Sequence, residues 1–187
     1  MRGLYCASLL ALLVPFCGCK RSVEILPDPS LDGGVVLLAP LAVDGKGVPV
    51  DTFYFGKTSK EPVWRLCQWS CRHDLKGVQA SETENGVEYA SESLSMARHS
   101  DGVLTMKLDA SKEYLKPRTA DKPWVHILIE TDLPFVPVND YESLELTYSM
   151  RILKCENRMG EDYNKTVHAA QALGCMTTVN QVECRRR

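Results

Sequence analysis

The chain has 187 residues, with 22 lysines and arginines against 24 aspartates and glutamates, for a formal net charge of −2. That length suits one domain with a real hydrophobic core, and the near-neutral balance excludes the basic footprint of a nucleic-acid-binding protein. The closing Arg185-Arg186-Arg187 is a run of only three and reads as a solvated tail.

In chain order, the first segment is an export signal. Arg2 supplies a short positive start, residues 4–16 form an uncharged apolar stretch, and Gly18-Cys19 follows, with Lys20 and Arg21 next. A basic n-region, an apolar h-region and a small residue before a cut describe a secretory leader. As a helix that stretch would rise only about 20 Å, short of the ~30 Å hydrocarbon core, so it is no stable span. The Gly-Cys ending resembles the lipobox of bacterial lipoproteins, with Phe16 and Cys17 departing from its usual aliphatic and small residues. What this resemblance implies is cleavage after residue 18 and lipid on Cys19, an anchor rather than a span. Residues 1–18 are thus expected as signal peptide, 19–33 as lipidated cysteine and tether, and 34–187 as the folded domain. Cys6 and Cys17 would leave with the signal. Cys67, Cys71, Cys155, Cys175 and Cys184 would remain unmodified, an odd number that leaves at least one thiol unpaired within the chain.

From residue 34 onward the pattern is β. Residues 35–39, 48–55, 63–69 and 86–89 are short, β-branched or aromatic-rich runs. Residues 91–99 and 103–109 flank Asp101-Gly102, which predicts a hairpin with a type I′ turn. Leu94 and Met96 on one arm would share a face with Leu104, Met106 and Leu108 on the other. Residues 112–123 read as a loop and 124–131 (WVHILIET) as a strand. Residues 144–152 (LELTYSMRI) alternate apolar and polar side chains, as a half-buried antiparallel strand does. Residues 166–173 fit either a helical turn or a strand, and 176–180 are β-like. Short strands with turn signals and no sustained helical period predict an all-β, antiparallel β-sandwich of jelly-roll type.

Side chains that could carry function cluster late in the chain. On the strand 124–131, Val125, Ile127 and Ile129 would face the core, and Trp124, His126, Leu128 and Glu130 the other side. An indole, an imidazole and a carboxylate on one sheet face are the materials of a sugar site, the ring stacking on an apolar sugar face and the polar groups bonding hydroxyls. The alternative is a second packed layer in which His126 is satisfied by a structural partner. His168 and Gln171 are candidates for the same cleft. Along a strand His126 and Glu130 would lie ~13 Å apart, too far for a direct acid–base pair. An enzyme reading would need Glu130 with Glu145 as a glycosidase pair, or His126 with Arg151 as a lyase pair. Cys67, Cys71 and nearby His73 leave three readings open: buried or distantly paired thiols, a local disulfide that requires a turn, or a metal site. No metal set is complete, and no cofactor is called for.

The segments WRLCQWS, KLDASKEYL, KPWVHILIE and YNKTVHAAQALGCMTTVNQ, spanning about residues 63–180, resemble a group of exported bacterial proteins. These are concanavalin-like jelly-roll proteins, often lipoproteins, of bacteria that live on polysaccharides. The resemblance implies a β-sandwich and a polysaccharide or oligosaccharide as partner. In that group further aromatic-rich strands follow the segment matching residues 177–180, so a C-terminally truncated sandwich is expected here. The expected function is a lipid-anchored cell-envelope protein that binds glycan through Trp124, His126, Glu130, His168 and Gln171. A lyase or glycosidase on the same fold, or a structural lipoprotein or gene remnant, is the rival.

Overall fold

The computed structural model describes residues 23–39, 47–134, 143, 145, 148–156 and 158–168. Among them, eight strands form two four-stranded sheets. In the first sheet, β1 (Val35–Leu38) lies between β2 (Pro49–Phe53) and β3 (Trp64–Cys67), and β8 (Leu128–Thr131) flanks β3. The second sheet is a meander of β4 (Ser81–Thr83), β5 (Gly86–Ala90), β6 (Leu94–His99) and β7 (Leu104–Leu108). The chain therefore lays down three strands of the first sheet, builds the whole second sheet, and returns to the first as β8. Among the described residues, helix is confined to α1 (Ala110–Glu113), α2 (Lys165–His168) and a 3-10 turn at Gly160–Asp162. No helix among the described residues is long and apolar enough to cross a membrane.

The expected all-β architecture is present, with one departure from an antiparallel arrangement. β1 and β3 pair in parallel, Val35 opposite Trp64 and Leu37 opposite Leu66. The cause is connectivity: β2 turns back along one edge of β1, and the following segment carries the chain to the other edge, where β3 runs in the direction of β1. The other strand pairs are antiparallel.

One core lies between the sheets. Val35, Leu37, Phe53 and Leu66 from the first sheet meet Tyr89, Leu94 and Met96 from the second, all under 8 % exposed. Tyr89 is the main bridge. Its ring stacks on Phe53 with centroids 3.9 Å apart and planes 7° from parallel, and it meets Phe55 edge-on at 5.9 Å. Its hydroxyl donates to the Tyr54 carbonyl at 2.8 Å and accepts from the Tyr54 N–H at 3.0 Å. Gln68, wholly buried, ties three segments: its Nε2 donates to the Leu38 carbonyl at 3.2 Å and its Oε1 accepts from Leu75 N–H at 2.8 Å.

Several local expectations shift. The hairpin at 91–109 forms in the expected face sharing, Leu94 opposite Leu108 and Met96 opposite Met106. Its turn is different. Gly102 alone has positive φ (+85°), its N–H bonds the His99 carbonyl at 2.9 Å, and His99 N–H bonds Val103 O at 2.9 Å. That is a three-residue loop closed by a left-handed glycine, not a type I′ turn, because Asp101 stays out of the left-handed region. The strand expected over 124–131 is shortened to Leu128–Thr131. Opposite it β3 ends at Cys67 and Ser70 adopts φ 60°, turning the partner chain away. Of residues 144–152, the described positions hold no strand, and Tyr148, Met150 and Ile152 are 54 %, 53 % and 62 % exposed. Alternation specifies a face only when a neighbouring strand supplies the ladder bonds. The tether expected to run to residue 33 is packed at its far end. Leu31 is buried in the core, Trp64 Nε1 donates to the Asp28 carbonyl at 2.8 Å, and Gly33 N–H bonds the Asp28 carboxylate at 2.8 Å. Folded structure thus begins ahead of the expected boundary at 34. The β-like run at 176–180, like Cys6, Cys17, Cys19, Cys175 and Cys184, lies outside the described residues.

The Tyr89 bridge makes a direct prediction. Tyr89→Phe keeps the ring stack but leaves both backbone groups of Tyr54 without their partner, which costs about 1–3 kcal/mol. Urea unfolding should show a lower midpoint with an unchanged slope.

Candidate functional site

The polar side chains singled out from the sequence fall on the outward face of the β3–β8 ladder and its extension. The register pairs Arg65 with Glu130 and Cys67 with Leu128. It continues one step past the strand ends, where His126 N–H donates to the Trp69 carbonyl at 3.1 Å. Residues two apart on a strand share a face. Arg65, Cys67 and Trp69 on one side and Glu130, Leu128 and His126 on the other therefore form one track, with Cys67 buried at its middle and the open side chains towards its ends, and Trp124 lies two residues beyond His126. The opposite row, Val125, Ile127 and Ile129, packs against the core as expected.

At one end of the track, Arg65 joins two carboxylates. Its Nε bonds Glu130 at 3.1 Å and its two terminal nitrogens bond Asp132 at 2.7 and 3.0 Å. The bidentate Asp132 bond raises the guanidinium pKa above its already high value, and the same bond holds the Asp132 carboxyl below the usual range. At the other end, Trp69 is 40 % exposed and meets the exposed His126 ring edge-on, centroids 6.1 Å apart.

Trp124 and His168 come together through Arg118. The Arg118 guanidinium carbon sits 4.4 Å from the centre of the half-buried Trp124 ring, a cation–π contact. Its terminal nitrogen bonds the Val167 carbonyl at 2.8 Å. His168 Nδ1 accepts from Asn164 N–H at 2.9 Å, which leaves the proton on Nε2, and Nε2 donates to the Arg118 carbonyl at 2.8 Å. His168 is thus a satisfied histidine within a short helical turn. Its place in 166–173 resolves as helix at residue 168. Gln171 lies outside the described residues. The structure accordingly groups Trp124 with His168, and His126 with Glu130 along the ladder.

The side chains considered for catalysis have these surroundings. Glu130 is held by Arg65, Glu145 and Arg151 are exposed positions outside any strand, and no hydrogen bond links His126 to Arg151. The cysteines near the track are free thiols, buried at Cys67 and Cys71 and exposed at Cys155. Burial pushes the Cys67 thiol up to about 12, with the Glu130 carboxylate adding to the rise. Burial does the same at Cys71, also to about 12, reinforced by Glu113. Among the described residues, no three His, Cys, Asp or Glu side chains gather as metal ligands.

Two features went unread in the sequence. Trp69, within the run 63–69, becomes an exposed ring of the track through its cross-strand pairing with His126, a register that one sequence does not disclose. Glu113, in a polar segment, is 3 % exposed. Its carboxylate takes short bonds from Arg72 N–H and the Ser93 hydroxyl and a third, at 3.3 Å, from His73 N–H. It fastens the loop that carries Trp69 and Cys71 to the second sheet.

Neither a family model, nor a curated protein, nor a solved structure matches this chain.

The thiols can be ranked by reactivity, because thiolate is the reacting form. In the native protein at pH 8, iodoacetamide should modify Cys155 and spare Cys67 and Cys71, which become labelled only on unfolding. Peptide mass mapping reads this directly.

Proposed function

We propose that this protein is a non-catalytic glycan-binding module of jelly-roll type, exported and held at a bacterial cell envelope by lipid on Cys19. The observation that carries the binding reading is the exposed Trp69–His126 pair, placed on the same face of one ladder as the Arg65–Glu130 ion pair. An exposed indole offers an apolar platform to the C–H face of a sugar ring, while an imidazole edge and a fixed carboxylate supply hydrogen bonds to hydroxyls. Trp124, braced by Arg118, extends the track.

The non-catalytic reading rests on how the chemistry is tied up. Glu130 is bonded by Arg65, the buried thiols are held in the protonated form, and His168 spends both ring nitrogens on the backbone. The envelope reading rests on the basic start, apolar stretch and Gly18-Cys19 of the sequence and on its resemblance to exported jelly-roll lipoproteins.

Affinity electrophoresis of the full chain against a panel of soluble polysaccharides tests the binding site. Retardation by at least one polysaccharide is expected, and Trp69→Ala should weaken it about tenfold, as for an aromatic anchor. No retardation of the folded protein by any member of the panel would sink the reading. For the anchor, mass spectrometry of the protein made in a bacterial host should find Cys19 as a lipid-modified N-terminus, and an unmodified N-terminus would refute it.

A further inference from the structure

A second site is built where the two sheets open, away from the β3–β8 track. Leu94, Met96 and Arg98 fall on one face of β6, and the first two are 1 % and 0 % exposed in the core. Arg98 therefore continues an apolar row with a guanidinium. Its cross-strand partners, Val87 and Leu104, pack against the core. The backbone there is pinned, because Gly86 (φ +136°) lies so close that an added Cβ would meet the Arg98 carbonyl at 2.1 Å.

The Arg98 side chain ends at a hollow of about 350 Å³. Its lining includes Phe55, Lys57, Thr58, Lys60 and Asp32. The Asp32 carboxylate holds two of the cations, Lys60 on one oxygen at 2.8 Å and Arg98 on the other at 3.3 Å, and Lys60 also lies 3.6 Å from Asp28. Three cations against one lining carboxylate leave the hollow positive. The Arg98 Nε is buried and has no hydrogen-bond partner among the described residues. A guanidinium is the natural complement of a carboxylate or sulfate group. Arg98 also borders a smaller hollow of about 190 Å³, but that one adds Glu88 and no lysine, so charge directs an anion to the first.

We propose that this hollow binds the acidic group of a charged sugar, a uronate or a sulfated monosaccharide. Arg98, Lys60 and Lys57 take the oxyanion, Thr58 bonds a ring hydroxyl, and Phe55 lies against the apolar sugar face. The sugar identity rests on the glycan reading above; the oxyanion chemistry does not. Arginine supplies a planar fork on an inner strand, and the lysines supply mobile charge on the exposed rim. The ligand class of the protein is then an anionic polysaccharide, held along the track through neutral faces and at this hollow through charge.

Calorimetric titration of the full chain with glucuronate, glucose and inorganic sulfate tests this. Glucuronate should bind, with glucose and sulfate each at least tenfold weaker. Arg98→Met restores the apolar row and should keep the fold, while weakening glucuronate about tenfold or more. Lys57→Gln, on the exposed rim, should weaken it by a smaller factor with no change in melting temperature. Trp69→Ala should leave glucuronate affinity unchanged. Equal binding of sulfate and glucuronate, no glucuronate binding by the folded protein, or undiminished binding by both Arg98→Met and Lys57→Gln would each overturn the proposal. If glucuronate binds as expected but no polysaccharide responds to Trp69→Ala, the track reading fails and this site stands.

Discussion

The contact between Tyr89 and the Phe53–Tyr54 segment holds this fold together as a two-layer structure. Each sheet has only four short strands, and small sheets bury little surface by themselves. Stacking Tyr89 on Phe53 joins the second strand of the meander to an edge strand of the other sheet. The hydroxyl then satisfies both backbone groups of Tyr54, where β2 has ended and no ladder partner is available. Apolar burial alone would let the sheets slide, since it has no direction. Two hydrogen bonds to one peptide position fix their relative register. Burial raises the Tyr89 phenol pKa above its ordinary value, which keeps it neutral and able to donate. Through this fixed register Arg98, on the inner face of β6, arrives beside Phe55, Lys60 and Asp32, which belong to segments on either side of the first sheet's β1 and β2.

Buried polar groups do similar work at the other end. Gln68 and Glu113 are polar side chains, yet both are buried and bonded to backbone. Gln68 joins β1 and the loop at Leu75 directly after β3. Glu113 binds that same loop to α1 and to Ser93. The loop between them carries Trp69, so the exposed indole stands on a segment held from both sides. A platform for a ligand needs such support, because ordering a loop on binding subtracts from affinity.

Much of the β character was legible from residues alone, and the reasons it stopped there are physical. The runs at 35–39, 48–55 and 63–69, the strand at 86–89 and the hairpin arms all became strands because β-branched and aromatic side chains suit a pleated, half-buried surface. The hairpin turn departs from type I′ because Asp-Gly fits several loop lengths, and only the ladder bond from His99 to Val103 selects among them. The described positions of 144–152 hold no strand because alternation says which side chains could face a core, not that a neighbouring strand exists. Pairing across sequence, β1 with β3 in parallel above all, has no signature in a single chain. The site divides in the same way. Side alternation put Val125, Ile127 and Ile129 against the core, with His126 and Glu130 on the other side. Trp69 required the register of β3 against β8, and the Arg98 hollow required the packing of one sheet on the other.

The two sites differ in what they can select. The track offers faces and hydrogen bonds, and its charges are bonded rather than free: Arg65 is shared between Glu130 and Asp132, one cation for two carboxylates. A neutral sugar can approach it without desolvating an unpaired charge. The Arg98 hollow has the opposite character, since its guanidinium is only partly matched and sits where an apolar residue would pack more easily. Placing a charge on the inner face of β6 works against the core row that Leu94 and Met96 begin, and local sequence that conflicts with packing is most readily understood where a ligand completes it. Asp32 makes the arrangement tolerable in the free protein by holding Arg98 and Lys60 together, and it does so with one carboxylate for two cations. An incoming oxyanion would meet donors already gathered, so less order remains to be imposed on binding. Selection between neutral and acidic glycans would then reside in the hollow.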